Sequence, residues 1–242
     1  RIFDVANRHV FFFGALGGVY LVAFTSLRSQ VLGLYGSRGI LPVSELLARV
    51  RRVVGPERYR ALPSLLWLDS SDAALLRWCD FGQSCAALLV AGVAPRLTSA
   101  LSWALYLSFV SVGREFLGYQ WDALLLECGL DAVIAAPPGL VPRASAEETP
   151  WPVVALMRWL VFRIHFESGL CKLQSHDPTW RGCTACAYHY ETQPLPTPAA
   201  WYAHQLPRRV HQLATALTLG IECAVPFLAF TPRRLRRLGF VI

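Results

Sequence analysis

Two kinds of side chain between residues 151 and 207 could support chemistry: a closely spaced pair of thiols, and charges inside an apolar run. Cys183 and Cys186 are separated by two residues, the spacing of thiol-redox sites and of half of many zinc sites. A zinc site needs further ligands, and only His176 and His189 lie near, so we predict no metal. The pair is interpreted as a redox pair, a static disulfide or two inert thiols, and a lone pair of this spacing does not decide among them.

The charges lie in two consecutive apolar runs, an acidic one over 121–136 and a basic one over 151–173. A charged side chain inside a membrane is costly unless it has a partner or faces a polar cavity. An acidic helix followed after a short connection by a basic helix therefore predicts antiparallel neighbours with ion pairs between them. A transport path or an active site is the alternative interpretation. The predicted intramembrane polar cluster consists of Gln120, Asp122, Glu127, Arg158, Arg163, Lys172 and Glu222.

Motifs of known enzyme classes are missing from the sequence. We find no nucleophile elbow, phosphate-binding loop, HExxH motif or pair of catalytic carboxylates in a soluble context. His189 and Glu191 could take part in acid–base chemistry, but a structural hydrogen-bonding role is the favoured interpretation. We therefore predict no catalytic residue and no cofactor.

The composition is typical of a membrane protein. Hydrophobic residues make up 54% of the chain and charged residues 16%, whereas soluble domains carry about 25% charged residues. The net charge of +7 comes from arginines scattered among apolar runs rather than gathered in a basic patch. This distribution favours membrane lipids with anionic headgroups as partners and argues against nucleic acid.

The apolar runs predict an all-α, polytopic transmembrane bundle of six spans, since a bilayer crossing takes about 20 apolar residues. An amphipathic basic helix is predicted over 43–54, lying in the headgroup plane or packed on the protein's own loops. The polar and aromatic stretch over 174–207 is predicted to be a long loop outside the bilayer. The six predicted spans are 9–27, 73–93, 97–117, 121–136, 151–173 and 210–230.

Three local patterns predict particular contacts. The glycines at 14, 17 and 18 predict a face for close helix packing. Arg77 and Asp80 are one helical turn apart, which predicts an ion pair between them. Thr197 followed by Pro198 predicts the start of a short helix inside the loop.

The orientation is predicted from the arginines. The cluster at 233–237, just after the last span, predicts a cytosolic end. With six spans, the start of the chain is then cytosolic, and 28–72 and 174–207 lie on the far side. The arginines within 28–72 argue against this assignment, unless that connector is folded.

Four stretches of the sequence resemble the lipase maturation factor family, and together they extend over nearly the whole chain. The longest and most specific begins at Tyr188 and contains the string HYETQPLPTP. From this resemblance, the residues expected to form a binding surface are His189, Tyr190, Glu191, Thr192, Gln193, Pro194, Pro196, Trp201 and Tyr202. The stretches are YLVAFTSLRSQVLGLYGSRGILP, QWDALLLECG, RWLVFRIHFESGLCKLQSHDPTW and YHYETQPLPTPAAWYAHQLP.

The resemblance implies a multi-pass protein of the endoplasmic reticulum membrane that assists the folding, assembly and secretion of lipases without catalysis. It also implies that client lipases bind mainly through a lumenal carboxyl-terminal domain that would lie beyond Ile242. The Cys183 and Cys186 pair is not part of the family pattern, which argues against a redox role. Since the family is distantly similar to the membrane part of vitamin K-dependent carboxylase, a membrane enzyme is the alternative function. A transporter ranks last.

Overall fold

Helices make up the regular structure of the computed structural model, which describes residues 2–140 and 149–239, with side chains from His9 onward. No strand occurs within these ranges, so the predicted all-α class is confirmed. The chain divides into two compact units, Arg1–Val154 and Ala155–Ile242. The boundary falls in the first turn of a long helix.

The first unit consists of four long helices and a folded connector. Three short 3₁₀ helices accompany them, at Gly55–Glu57, Leu65–Trp67 and Arg114–Phe116. The α-helices of this unit are α1 (Ile2–Tyr35), α2 (Val43–Val54), α3 (Arg58–Ala61), α4 (Asp72–Val90), α5 (Pro95–Gly113) and α6 (Gln120–Ala135).

Helices α1 and α4 pack backbone to backbone at Gly17. A Cβ atom on Gly17 would lie 2.8 Å from the backbone nitrogen of Val90 and 3.0 Å from the carbonyl oxygen of Ala86. A Cβ atom on Gly14 or Gly18 would have no such neighbour within 4 Å. One of the three predicted glycines therefore forms the close contact, because only position 17 faces α4.

Three fully or nearly buried aromatic side chains form the centre of the first unit: Tyr20, Phe24 and Tyr106. Their ring centroids lie 5.8 to 6.2 Å apart, the range of favourable aromatic pairs. The Tyr20 hydroxyl donates to the carbonyl oxygen of Leu125 at 3.2 Å. This contact ties α1 to α6.

The ion pair predicted between Arg77 and Asp80 is wrong. Asp80 instead pairs with Arg28 of α1, and Arg77 reaches Asp69, before the start of α4, at 3.2 Å. Each side chain finds its partner on another part of the chain, because Asp80 faces α1 while Arg77 points toward the helix start. Helical spacing alone does not report these outside partners.

The connector between α1 and α4 is folded onto the first unit. Val43 and Leu47 of α2 are buried in the core of the unit, whereas the arginines at 49, 51 and 52 are exposed. Farther on, the Arg58 guanidinium lies 4.3 Å from the centroid of the Tyr59 ring, and the Ser64 hydroxyl donates to the carbonyl of Ser108 at 2.9 Å. The apolar face of α2 thus packs against the core of the first unit, and its position in the headgroup plane stays a prediction.

The second unit is built on a pair of long helices bridged by aromatic rings. Four phenylalanines at 162, 166, 227 and 230 contact one another with centroids 5.0 to 5.4 Å apart. The helix at Arg208–Ala224 is continued by a 3₁₀ helix at Val225–Phe230. The α-helices of this unit are α7 (Trp151–Gln174), α8 (Pro178–Arg181), α9 (Ala185–Thr192), α10 (Pro198–His204), α11 (Arg208–Ala224) and α12 (Arg233–Gly239).

Two helical stretches of the described chain are long and apolar enough to cross a membrane, His9–Tyr35 and Arg208–Phe230. Helix α6 has only 16 residues, and α7 carries four charged side chains along its length. The arrangement with six spans stays a prediction.

Candidate functional site

Residues 174–207, here called the motif segment, fold into the three short helices α8, α9 and α10 rather than an open loop. Asp177 begins α8: its carboxylate accepts from the Thr179 N–H at 2.9 Å and from the Thr179 hydroxyl at 2.7 Å. These hydrogen bonds hold the pKa of the Asp177 carboxyl below its usual value. Pro198 lies in the first turn of α10 after Thr197, which is the predicted helix start.

The family string folds back on itself through a contact between a carboxylate and an imidazole. Glu191 of α9 contacts His204 of α10, with 2.6 Å between the Glu191 Oε1 and His204 Nε2 atoms. The ring of Tyr190 packs against His211 of α11, with centroids 5.8 Å apart. Gln193 ends α9 through its N–H, which donates to the carbonyl of His189 at 3.0 Å. Glu191 therefore joins α9 to α10 within the motif segment, and Tyr190 joins the segment to α11.

Helix α11 carries a row of polar side chains, two of which contact the motif segment. His211, Thr215, Thr218 and Glu222, here called the polar stripe, recur at steps of four, three and four residues, which places them on one helix face. His211 and Thr215 are buried. The Thr215 hydroxyl donates to the His211 carbonyl at 2.8 Å and accepts from the Cys186 N–H at 3.1 Å. The stripe thus anchors the first turn of α9.

The stripe ends at an ion pair between α7 and α11. The Lys172 ammonium donates to both carboxylate oxygens of Glu222, at 2.8 and 2.7 Å, and to the Ser168 hydroxyl at 2.8 Å. The ring of Trp180 lies beside it, with the Lys172 Nζ atom 5.4 Å from the ring centroid. The side chains of Lys172 and Glu222 keep 23% and 19% of their exposure, so this pair is largely withdrawn from solvent.

Close helix packing brings this ion pair together. A Cβ atom on Gly169 would lie 2.6 Å from the Cys223 Sγ atom and 3.0 Å from the Glu222 Cβ atom. Only glycine permits this approach, since real Cβ atoms do not come so near. The absence of a side chain at 169 lets the Lys172 ammonium reach the carboxylate on α11.

The outer side of the motif segment is apolar and exposed. Trp201 and Tyr202, here called the exposed aromatic pair, are 64% and 70% exposed, with ring centroids 5.0 Å apart. Leu195 is 88% exposed and stands between two exposed prolines, Pro194 and Pro196. Large apolar side chains held outward on a fixed frame are characteristic of contact surfaces.

Comparison with known proteins places this arrangement in a family. A family model described as the transmembrane domain of lipase maturation factors matches residues 6–242. The chain belongs to the lipase maturation factor family. This family is one of maturation factors rather than enzymes, and its matched domain is a membrane domain.

The relatives in this family are longer proteins. Lipase maturation factor 2 of Gallus gallus is 46% identical over 95% of this chain and 33% of its own length. Lipase maturation factor 2 of Homo sapiens is 43% identical over 95% of this chain and 35% of its own length. Human lipase maturation factor 1 is 36% identical over 91% of this chain and 40% of its own length. The chain thus spans about a third of the length of the factor 2 relatives. No solved structure matches it.

Four of the side chains predicted to form one cluster, Asp122, Arg163, Lys172 and Glu222, have separate partners in the described structure. In the first unit, the Tyr106 hydroxyl donates to Asp122 at 2.5 Å. In the second, Arg163 lies 4.0 Å from Glu167, and Lys172 pairs with Glu222 rather than with a residue of the acidic run. Gln120 is exposed, and Glu127 and Arg158 are half-buried.

The two cysteines of the motif segment are free thiols in the structure, and both are half-buried. Cys183 lies in the turn after α8 with a positive φ of 52°, and Cys186 lies in the first turn of α9. No group of three or more potential metal ligands occurs among the described residues.

Sequence reasoning missed three residues that organise the motif segment: His204, His211 and Thr215. His204 joins α10 to α9 through its contact with Glu191. His211 and Thr215 belong to the polar stripe. The regular spacing of polar side chains along an otherwise apolar helix was a readable signal for the stripe, since a helix in lipid turns its polar side chains toward protein.

Proposed function

We propose that this chain is the membrane domain of an endoplasmic reticulum factor that assists the folding, assembly and secretion of lipases. The proposal draws on its membership of the lipase maturation factor family. Its partners are membrane lipids and client lipases, and it acts without catalysis. The exposed aromatic pair, held on a frame by the Glu191–His204 contact and by hydrogen bonds, is the observation that carries a binding role for this domain.

In this proposal six helices cross the bilayer: α1, α4, α5, α6, α7, and α11 with its 3₁₀ extension. Two of them, α1 and α11 with its extension, are long and apolar enough to cross a membrane. In the others, pairing lowers the cost of polar side chains in lipid, as for Asp122 with Tyr106 and Lys172 with Glu222. The motif segment then lies on the lumenal side, where secreted lipases fold.

A frame with an exposed aromatic pair favours recognition over chemistry. Glu191 and Tyr190 contact His204 and His211, so both have a structural role in the frame. Trp201 and Tyr202 offer large, rigid side chains with few rotatable bonds, which lose little entropy on binding. A partly unfolded lipase or a neighbouring domain of the same protein presents the apolar surface that such side chains contact.

Replacing both Trp201 and Tyr202 with alanine is expected to lower secreted lipase activity by about tenfold or more, because truncating an aromatic anchor costs about 2 kcal/mol or more. Lipase synthesis should be unchanged. The measurement is lipase activity in the medium against total lipase protein, in cells that lack the endogenous factor and express the protein containing this chain.

Trp121→Ala is the matched control, since Trp121 on α6 is 68% exposed and lies outside the motif segment. It should leave secretion unchanged. The amount and thermal stability of each variant are measured beside secretion, because the exposed pair contributes little to the fold. Normal secretion from the double variant would refute a binding role for this surface.

Cys183 and Cys186 allow a test of the orientation. In sealed microsomes, a membrane-impermeant thiol reagent should leave both unlabelled, and permeabilisation should expose them. Because both thiols are free in the structure, we expect labelling without prior reduction. A Cys183→Ser/Cys186→Ser variant identifies this signal against the remaining cysteines. Labelling in sealed vesicles would reverse the orientation, and labelling only after reduction would establish a disulfide.

A further inference from the structure

A half-open cavity of about 250 Å³ lies in the second unit, away from the motif segment. Its walls are apolar, with contributions from Val161 on α7, Ile221 on α11, and Val225 and Ala229 on the 3₁₀ helix. Two basic side chains complete it, His165 and Arg236. A volume of this size is below the usual range of about 300 to 1,000 Å³ for small-molecule sites, and leaves room for part of one hydrocarbon chain.

The cavity arises where α11 changes to the narrower 3₁₀ helix. Pro226 lies in the first turn of that 3₁₀ helix, and the small Ala229 side chain leaves space beside α7. The rings of Phe162 and Phe227 hold the two elements at a fixed distance, with centroids 5.0 Å apart. The space is therefore supported by packed aromatic side chains.

Helix α12 contributes a guanidinium to the cavity lining. Helix α12 carries four arginines, and Arg236 is the one that lines the cavity. Its Nη1 atom donates to the carbonyl of Thr231 at 3.2 Å, which fixes the guanidinium while other N–H groups remain on the fork. The side chains of Leu235 and Leu238 are about half exposed, so α12 presents apolar and cationic groups together.

His165 adds a second polar group to the cavity lining. Its Nδ1 atom lies 2.8 Å from the carbonyl oxygen of Val161. A carbonyl can only accept, so Nδ1 carries a proton and Nε2 is the other hydrogen-bonding atom of the ring. None of the described residues that line the cavity is acidic, so the charge of the site is suited to an anion.

We propose that this cavity binds an anionic phospholipid, with one acyl chain against Val161, Ile221 and Ala229 and the phosphate group at Arg236. The lining combines apolar walls with a guanidinium that no acidic lining residue balances, which matches hydrocarbon at one end of a lipid and a headgroup of net negative charge at the other. An isolated phosphate ion would leave the apolar walls unused, and an apolar ligand would leave the arginine unused.

Photolabelling tests this proposal with phosphatidylserine that carries a diazirine on its acyl chain. With the full chain in detergent, label should concentrate on the peptide containing Ile221 and Ala229, above that on the peptide with the exposed Val19 and Val22 of α1. Unlabelled phosphatidylserine should compete about fivefold better than phosphatidylcholine of the same acyl chains, since one arginine contributes about 1 kcal/mol toward an anionic headgroup.

Two variants and a matched control separate the acyl and headgroup parts of the site. Ala229→Trp fills the groove and should reduce labelling of the cavity peptide to the level of the α1 peptide. Arg236→Gln should abolish the preference for phosphatidylserine and keep the label. Arg234→Gln removes the same charge from α12 at a position that does not line the cavity, and should keep the preference.

Three results would overturn the proposal: no excess label on the cavity peptide, equal competition by the two lipids, or the same loss of preference in Arg234→Gln as in Arg236→Gln. The competition measurement uses the unaltered chain, so it decides the matter even if Ala229→Trp does not fold. Lipase secretion is not the readout, and the outcome is therefore independent of the proposed function.

Discussion

Replacing Lys172 with methionine is expected to destabilise the second unit by about 3 kcal/mol, because it strands the Glu222 carboxylate in a site largely withdrawn from solvent. This value is at the lower end for a buried pair, since the two side chains keep 23% and 19% of their exposure. Glu222→Leu should have a similar effect by stranding the ammonium. Unfolding of the purified chain in detergent, followed by heat or denaturant, measures the loss.

A double-mutant cycle isolates the pair from the rest of the unit. The double variant Lys172→Met/Glu222→Leu should be more stable than the sum of the single variants predicts, by about 2 kcal/mol. Arg77→Met is the control, because its partner Asp69 lies on the surface and an exposed pair contributes about 0 to 1 kcal/mol. If Lys172→Met is as mild as Arg77→Met, the pair does not hold α7 to α11.

The helices could be predicted from the sequence because apolar runs and helical spacing are local signals. Helix α2 lies at Val43–Val54, the range of the predicted amphipathic helix, since its buried and exposed residues alternate with the helical period. The long helices α4, α5 and α7 begin or end within a few residues of the predicted runs. Prolines and capping residues mark these ends directly in the sequence.

The partners of the charged residues could not be predicted, because a sequence does not report which helix faces which. Lys172 was expected to pair with the acidic run, yet Glu222 on α11 holds it. Asp80 was expected to pair within its own helix, yet it pairs with Arg28. In both cases the chosen partner lies on a different helix whose approach is set by packing, at Gly169 for the first pair.

The short helix α9 of the motif segment could not be predicted for a different reason. Helix α9 has eight residues, and isolated helices of that length are unstable in water. It is stabilised by tertiary contacts. The Thr215 hydroxyl accepts a hydrogen bond from the Cys186 N–H in the first turn of α9, and His204 contacts Glu191 in the last turn. Such contacts leave little periodicity in the sequence of the helix itself. The predicted role in lipase maturation came from family resemblance, since composition indicated only a membrane protein.

Replacing Asp122 with alanine is expected to destabilise the first unit by about 3 kcal/mol, because it leaves a buried hydroxyl without its acceptor and removes a helix cap. Asp122 is 8% exposed. One of its oxygens accepts from the Tyr106 hydroxyl at 2.5 Å, and the other accepts from the Tyr119 N–H at 3.2 Å, at the start of α6. The carboxylate therefore joins α5 to α6 and caps α6 at once.

Two further variants, Asp122→Asn and Gln120→Ala, test whether the loss of stability comes from the Asp122 carboxylate. The amide keeps an oxygen acceptor of the same shape, so its cost should be about 1 kcal/mol. Gln120 is exposed beside Asp122 in the same turn, and truncating it should change the free energy of unfolding by less than about 0.5 kcal/mol. Lipase secretion should fall in Asp122→Ala only in proportion to the folded protein that remains. A variant of full stability that fails in secretion would instead assign Asp122 a direct functional role.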